Sequence, residues 1–232
     1  MEIFVGTSGW MYSWNKGGNF DWYIQNSNLN AVELNASFYR FPFPNQIIGW
    51  SKKGRNLRWS IKIHRLITHK FKLNEDAKES FKKFLDLFKP MEDIIDFYLF
   101  QLPPFFGPKE KNKIVDFFND FNREKIVIEF RNKDWYEMDL EDFGRKNSLL
   151  ICSIDSPDFQ KMIFEIDGRI YLRFHGRESW YQYDYSDDEM KDIIEIIKNK
   201  KPKKFYAFFN NDYEMLKNAQ RFLFLLKNVQ NK

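Results

Sequence analysis

The chain has 232 residues with 26 phenylalanines, 37 basic and 33 acidic side chains, and a net charge of +4, ample for one large core but too weakly basic for a dedicated nucleic-acid coat protein. One cysteine excludes an internal disulfide, and with only three histidines it excludes a structural zinc module. No apolar run is long enough to span a bilayer, and the opening Met1–Gly6 segment lacks the features of a secretory leader, so a cytoplasmic chain with no membrane partner is expected.

In chain order, short apolar β-rich runs recur at Ile3–Gly6, Ala31–Leu34, Arg58–His64, Phe97–Gln101, Ile126–Arg131, Leu149–Asp155, Ile170–His175 and Phe205–Asn210. Helical patterns separate most of them. Residues 74–88 open on Asn74, a good N-cap, with Glu75 and Asp76 in the first turn and Phe81, Phe84, Leu85 and Phe88 on one face. Residues 109–121 place Ile114, Phe117, Phe118 and Phe121 in the same way. Ser186 and Glu189 form a capping-box pattern ahead of Met190, Ile193, Ile194 and Ile197. A last helix is predicted over residues 212–227. Between Asp155 and Ile170 no helix is evident, and a short strand or hairpin is expected instead.

Eight strands alternating with helices predict parallel pairing and right-handed crossovers. The expected fold is therefore one α/β domain over residues 1–232, a (β/α)8 TIM barrel with an irregular sixth βα unit. No G-x-G-x-x-G follows a strand, which argues against a dinucleotide fold. Cys152 sits in an apolar run and reads as a buried structural thiol.

Polar groups interrupt the strands near their C-terminal ends. Residues i and i+2 of a strand share a face. Ser60, Lys62 and His64 thus share one face, as do Val127, Glu129 and Arg131, then Tyr171, Arg173 and His175, and Glu33 with Asn35. Gln101, Asp155, Asn210 and Asn211 close their strands. Buried charges must pair, bind solvent or bind a ligand, and barrel enzymes keep their chemistry at these strand ends. A buried ion network that only specifies the fold is the competing reading. Two loops add aromatic rings. Trp10, Tyr12, Trp14, Phe20 and Trp22 follow the first strand, while Trp180, Tyr181, Tyr183 and Tyr185 follow the seventh, after Gly176 and Arg177. Rings beside cations suit a flat ring that carries an anion; a mere apolar cap on the barrel is the plainer alternative.

Several segments together resemble the YecE-like family, also called domain of unknown function 72. They are Gly6-Thr7-Ser8-Gly9-Trp10, Val32-Glu33-Leu34-Asn35-Ala36-Ser37-Phe38-Tyr39-Arg40, Lys62-Ile63-His64 with Ile67-Thr68-His69, and Phe100-Gln101-Leu102-Pro103-Pro104. Further on come Glu129-Phe130-Arg131 with Trp135, Asp155-Ser156-Pro157, Arg173-Phe174-His175-Gly176-Arg177, and Phe209-Asn210-Asn211 with Asn218-Ala219. The resemblance implies a TIM barrel of unestablished reaction. Two departures stand out: Asn132 where a His is expected, and Asp212-Tyr213 in place of a small, glycine-containing stretch. His69 is expected to start the following helix.

The first functional expectation is a hydrolase, lyase or isomerase acting on a small or polymeric anionic substrate, without a redox cofactor. Glu129 is the candidate general base or acid, His175 a proton carrier, Lys62, Arg131 and Arg173 the anion contacts, and Glu33 and Asp155 the orienting carboxylates. Asn35, Tyr39, His64, Gln101, Gly176, Arg177, Trp10, Tyr181, Asn210 and Asn211 are candidate substrate contacts. The second adds a divalent metal on Glu129, Asp155 and His175, by analogy with endonuclease IV or xylose isomerase barrels. The third is a non-catalytic module binding nucleic acid or a protein partner. The Lys-rich helix faces show no oligomerisation seam.

Overall fold

The computed structural model describes residues 1–230, with side chains through residue 228; the last two residues of the expected domain lie outside the described residues. The strands are β1 (Glu2–Thr7), β2 (Ala31–Leu34), β3 (Arg58–Lys62), β4 (Ile95–Gln101), β5 (Ile126–Glu129), β6 (Leu150–Asp155), β7 (Arg169–Phe174) and β8 (Lys204–Phe209). The helices are α1 (Phe20–Asn26), α2 (Pro44–Lys53), α3 (Glu75–Phe88), α4 (Lys111–Phe117), α5 (Leu140–Asn147), α6 (Asp187–Lys200) and α7 (Met215–Gln230). The strands neighbour one another in the order β1-β8-β7-β6-β5-β4-β3-β2. The ladders are parallel, and the order is that of a (β/α)8 barrel. No helix among the described residues is long and apolar enough to cross a membrane.

Residues cluster into two compact units, one of residues 1–33 with 152 onward and one of residues 34–151. In the first, β1 pairs with β8, β8 with β7 and β7 with β6, and a parallel bridge joins Ser8 to Glu33. Gly6 is required here: a Cβ on it would lie 2.3 Å from the Ala31 carbonyl oxygen. Phe174, Phe205 and Phe209 pack on Phe222 of α7. The capping box of α6 forms as expected, with Glu189 N–H donating to Ser186 Oγ and Ser186 N–H to Glu189 Oε2. No helix separates β6 from β7. Antiparallel bridges Ile154–Met162 and Ile166–Arg169 replace it, the expected hairpin.

In the second unit, β3, β4, β5 and the start of β6 pair in turn. Asn74 caps α3 by accepting from Ala77 N–H at 3.0 Å. The predicted stripe is buried at Phe81, Phe84 and Phe88, and Phe81 meets the rings of Phe100, Phe117 and Phe121. Two expectations need correction. His69 does not start α3: it lies in a π-helical turn, Leu66–Lys70, and α3 begins at Glu75. The helix expected over residues 109–121 is α4 with a 3-10 turn at each end. Several strands also end earlier than the residue pattern implied. His64, Arg131, His175 and Asn210 lie just past the last residue of β3, β5, β7 and β8, because residue type does not mark where a parallel ladder stops.

Candidate active site

The first unit holds a buried network around Glu33. Arg173 Nη2 and the Ser8 hydroxyl both donate to Glu33 Oε1, and the Tyr171 hydroxyl donates to Oε2, each at 2.7 Å. Glu33, Arg173, Tyr171 and Ser8 are all fully buried. The i, i+2 spacing of Tyr171 and Arg173 delivers both to one carboxylate across the strand order. Arg173, expected to contact an anion, has its charge balanced within the fold.

A second set begins at Asp155. Arg177 Nε donates to Asp155 Oδ2 at 2.8 Å and Nη2 to Oδ1, while Lys161 N–H also reaches Oδ1. Arg177 Nη1 continues to Glu189 Oε1, which also accepts the Tyr183 hydroxyl at 2.6 Å. Burial works against the charge of Arg177, yet its pKa is raised because the Asp155 hydrogen bond and charge outweigh that cost. Tyr183 is pushed up to about 12, first by burial and then by Glu189. Glu189 therefore serves twice, as helix cap and as anchor for the loop after β7.

That loop, residues 176–185, is tied down from several sides. Asn211 Nδ2 donates to the Tyr183 carbonyl and to Asn218 Oδ1, both at 2.7 Å. Asn218 Oδ1 accepts Tyr185 N–H, and its Nδ2 reaches Asp184. Gly176 has φ 95°, and a Cβ there would lie 2.6 Å from Ser179 O and 2.8 Å from Tyr183 Cβ. The loop carries Trp180 and Tyr181 against His175, with ring centroids 5.3 and 5.6 Å away. Tyr181 holds a left-handed backbone, φ 69°, and its N–H bonds the His175 carbonyl at 2.7 Å. His175 is buried, and its Nδ1 lies 3.2 Å from Asn210 Nδ2.

Trp10 is not a free platform. It is buried against Phe20 at 4.6 Å, and its carbonyl accepts from Asn15. Asp212 of the departing Asp212-Tyr213 pair adopts φ 48°, the region that favours glycine, and its carbonyl accepts Trp14 Nε1 at 3.2 Å.

The second unit holds its own strand-end set. Glu129 is fully buried and Arg131 Nη2 lies 2.5 Å from its Oε1. Gln101 is the register partner of Glu129 and is half-buried. Lys62 is buried with its ammonium 4.3 Å from the centre of the Phe38 ring. His64 Nδ1 accepts Leu66 N–H at 3.1 Å, and its ring packs on Phe41. The His64 pKa is lowered, mainly by burial. That of His69 is lowered by burial and then by Lys62 and Arg65. Asn35 is half-buried and Tyr39 is exposed. Asn132 binds the Pro104 carbonyl at 2.7 Å and accepts Asp134 N–H. In place of the expected His, it caps the turn that follows β5.

Both carboxylates offered for a divalent metal have an arginine beside them. Glu129 is matched by Arg131 and Asp155 by Arg177, so neither carboxylate offers an uncompensated charge. Among the described residues no three His, Cys, Asp or Glu side chains gather to hold a metal. Ser8, Tyr171, Glu189 and Asn218 escaped assignment as site residues. Tyr171 had a signal, since it shares the Arg173 face, whereas the second role of Glu189 had none.

The family model described as a protein of unknown function, DUF72, matches residues 4–232. A DUF72 family structure from Enterococcus faecalis V583 is 20% identical with a TM-score of 0.76, covering 99% of this chain and 96% of that one. A DUF72 family structure from Thermotoga maritima MSB8 is 22% identical with a TM-score of 0.74, and both chains are covered in full, 100% each. D-psicose 3-epimerase, crystallised in the presence of D-fructose, is 10% identical with a TM-score of 0.64 over 100% of both chains. These likenesses show the fold. No curated protein shows a significant match. The family model spans nearly the whole chain and the strand order is that of a barrel, so the chain belongs to the DUF72 family of (β/α)8 proteins.

Proposed function

We propose that this chain is an enzyme acting by proton transfer on a small, ring-containing anionic substrate at the C-terminal ends of β7 and β8. The observation that carries the reading is the setting of His175. The Asn210 amide lies beside its Nδ1, and Trp180 and Tyr181 flank it on a loop held by the side chains of Asp155, Glu189, Asn211 and Asn218. With Nδ1 held beside the Asn210 amide, Nε2 is the nitrogen left to exchange a proton: unprotonated, it takes the substrate's proton to give imidazolium, and from that form it returns the proton. Strained aromatic backbone such as that of Tyr181 persists where the surroundings hold it in place, commonly at ligand clamps. Arg177 engages Asp155 and Glu189 through three of its five N–H donors, which fixes the start of the loop that carries Trp180 and Tyr181. Isomerisation, elimination and hydrolysis all need only such proton transfer and orientation. The epimerase of the same fold makes sugars and sugar phosphates the first substrates to try.

The test is a panel of sugar phosphates, nucleotides and free sugars incubated with the protein in D2O, followed by NMR for product and for deuterium incorporation. The expected result is turnover of a phosphate-bearing ring, reduced about 10²–10⁴-fold by His175→Gln with thermal stability kept. Full activity in that variant would remove His175 from the chemistry. Turnover of neutral sugars alone would remove the anionic requirement.

A further inference from the structure

We infer that the loops after β2, β3 and β4 form a docking surface for single-stranded nucleic acid. The inference is independent of the proton-transfer proposal, and all its residues lie in the unit of residues 34–151.

Charge is the first observation. Across the whole chain 37 basic residues face 33 acidic ones. In these three loops the balance is lost. Residues 35–43 carry Arg40 and no acid, and residues 63–74 carry Arg65, Lys70 and Lys72 and no acid. Residues 102–110 carry Lys109 and the single acid Glu110, and α4 opens with Lys111 and Lys113. Elsewhere among the described residues of this unit the pattern is mixed: Lys89, Lys146 and Arg55 sit on Asp86, Asp142 and Asp93, whereas Lys52, Lys82 and Lys83 are exposed without such a pair. Among the described residues none of Arg40, Arg65, Lys70, Lys72, Lys109 or Lys113 stands within ion-pair distance of an acid. An ordinary solvated surface would show the mixed pattern of the remainder of the unit.

Exposed rings are the second observation. Tyr39 is 63% exposed, Phe43 67% and Phe105 55%. The chain buries most of its phenylalanines, so two such rings in these loops leave much apolar area in water. The loops are also contiguous. Phe38 meets His69 at 5.2 Å, Phe41 meets His64 at 4.8 Å, and Lys72 Nζ lies 4.9 Å from the Phe105 ring centre.

Unpaired cations interleaved with exposed aromatic rings are what a single strand requires. Phosphates meet the cations, and unpaired bases offer flat faces to the rings. A duplex hides those faces and would use only the charge.

The experiment is fluorescence anisotropy of a labelled oligo(dT) against the full chain over a rising KCl series, with a duplex of the same length beside it. The single strand should bind more tightly than the duplex. Lys70→Ala/Lys72→Ala/Lys109→Ala should flatten the log–log salt slope by about 2, since each phosphate contact contributes about 0.7. Phe43→Ala/Phe105→Ala should weaken binding about tenfold or more while leaving the salt slope unchanged. Both variants should unfold at the parent temperature, because the altered side chains are exposed. Absent binding at low salt would overturn the inference, as would equal affinity for the duplex with no effect of the phenylalanine variant. Sedimentation with anionic phospholipid vesicles, dependent on Phe43 and Phe105 and without oligonucleotide binding, would also overturn it and assign the surface to a membrane.

Discussion

Glu33→Gln is the most informative single substitution. It keeps the shape of the side chain but removes the charge that accepts from Arg173, Ser8 and Tyr171 at 2.7 Å. The Arg173 guanidinium is fully buried and would lose its counter-charge. Breaking a buried pair from one side costs about 3–5 kcal/mol. For a domain of this size each kcal/mol moves Tm by about 2–4 °C, so a fall of about 6–20 °C is expected in a calorimetric or dichroism melt. Arg173→Met should cost less, because the carboxylate keeps its two hydroxyl donors and can take up a proton. The double variant buries no unmatched charge. The double-mutant cycle should therefore show a coupling of about 2–3 kcal/mol. Additivity within about 0.5 kcal/mol, together with a small Tm change for Glu33→Gln, would refute the view that this network is one electrostatic unit.

Three further outcomes follow from the geometry. His64 and His69 have folded pKa values below the unfolded value of about 6.5. The unfolded chain thus takes up protons first, and stability present at neutral pH is lost as pH falls through about 6.5 toward the folded values, by at most about 1.4 kcal/mol per pH unit for each histidine. Urea melts at stepped pH should show a flatter profile in this window for His64→Asn and His69→Asn, and identical profiles would contradict the assignment. Gly176→Ala forces a side chain into a left-handed backbone and against Ser179 O, and should cost at least about 2 kcal/mol; an unchanged Tm would count against that turn. Asn211→Ala removes the donor to Tyr183 O and Asn218, which should cost about 1–3 kcal/mol and speed proteolysis within residues 176–185. Equal cleavage rates would show that Asn211 does not hold the loop.

Much of the architecture was legible before the structure. The eight strands follow from apolar β-rich runs, α3 from Asn74 and its phenylalanine stripe, α6 from the Ser186–Glu189 box, and the irregular sixth unit from the lack of helical periodicity after Asp155. The candidate site was legible only as a set of residues on strand faces. Period-two alternation assigns Tyr171, Arg173 and His175 to one side of β7, but not a partner to any of them. Arg173 meets a carboxylate 140 residues away, whereas His175, two residues later, meets Asn210 and the rings of its own following loop. Glu129 and Arg131 were adjacent on one face, and there the local pattern did suggest the pair.

By itself, then, the sequence determined the kind and order of the elements, since helix capping, periodicity and strand composition act over a few residues. Only the tertiary structure decided which charges neutralise one another, where each ladder ends, and that Asn211, Asn218 and Glu189 clamp a loop they do not adjoin. Those outcomes depend on strand register and on contacts between distant segments, which no local propensity encodes.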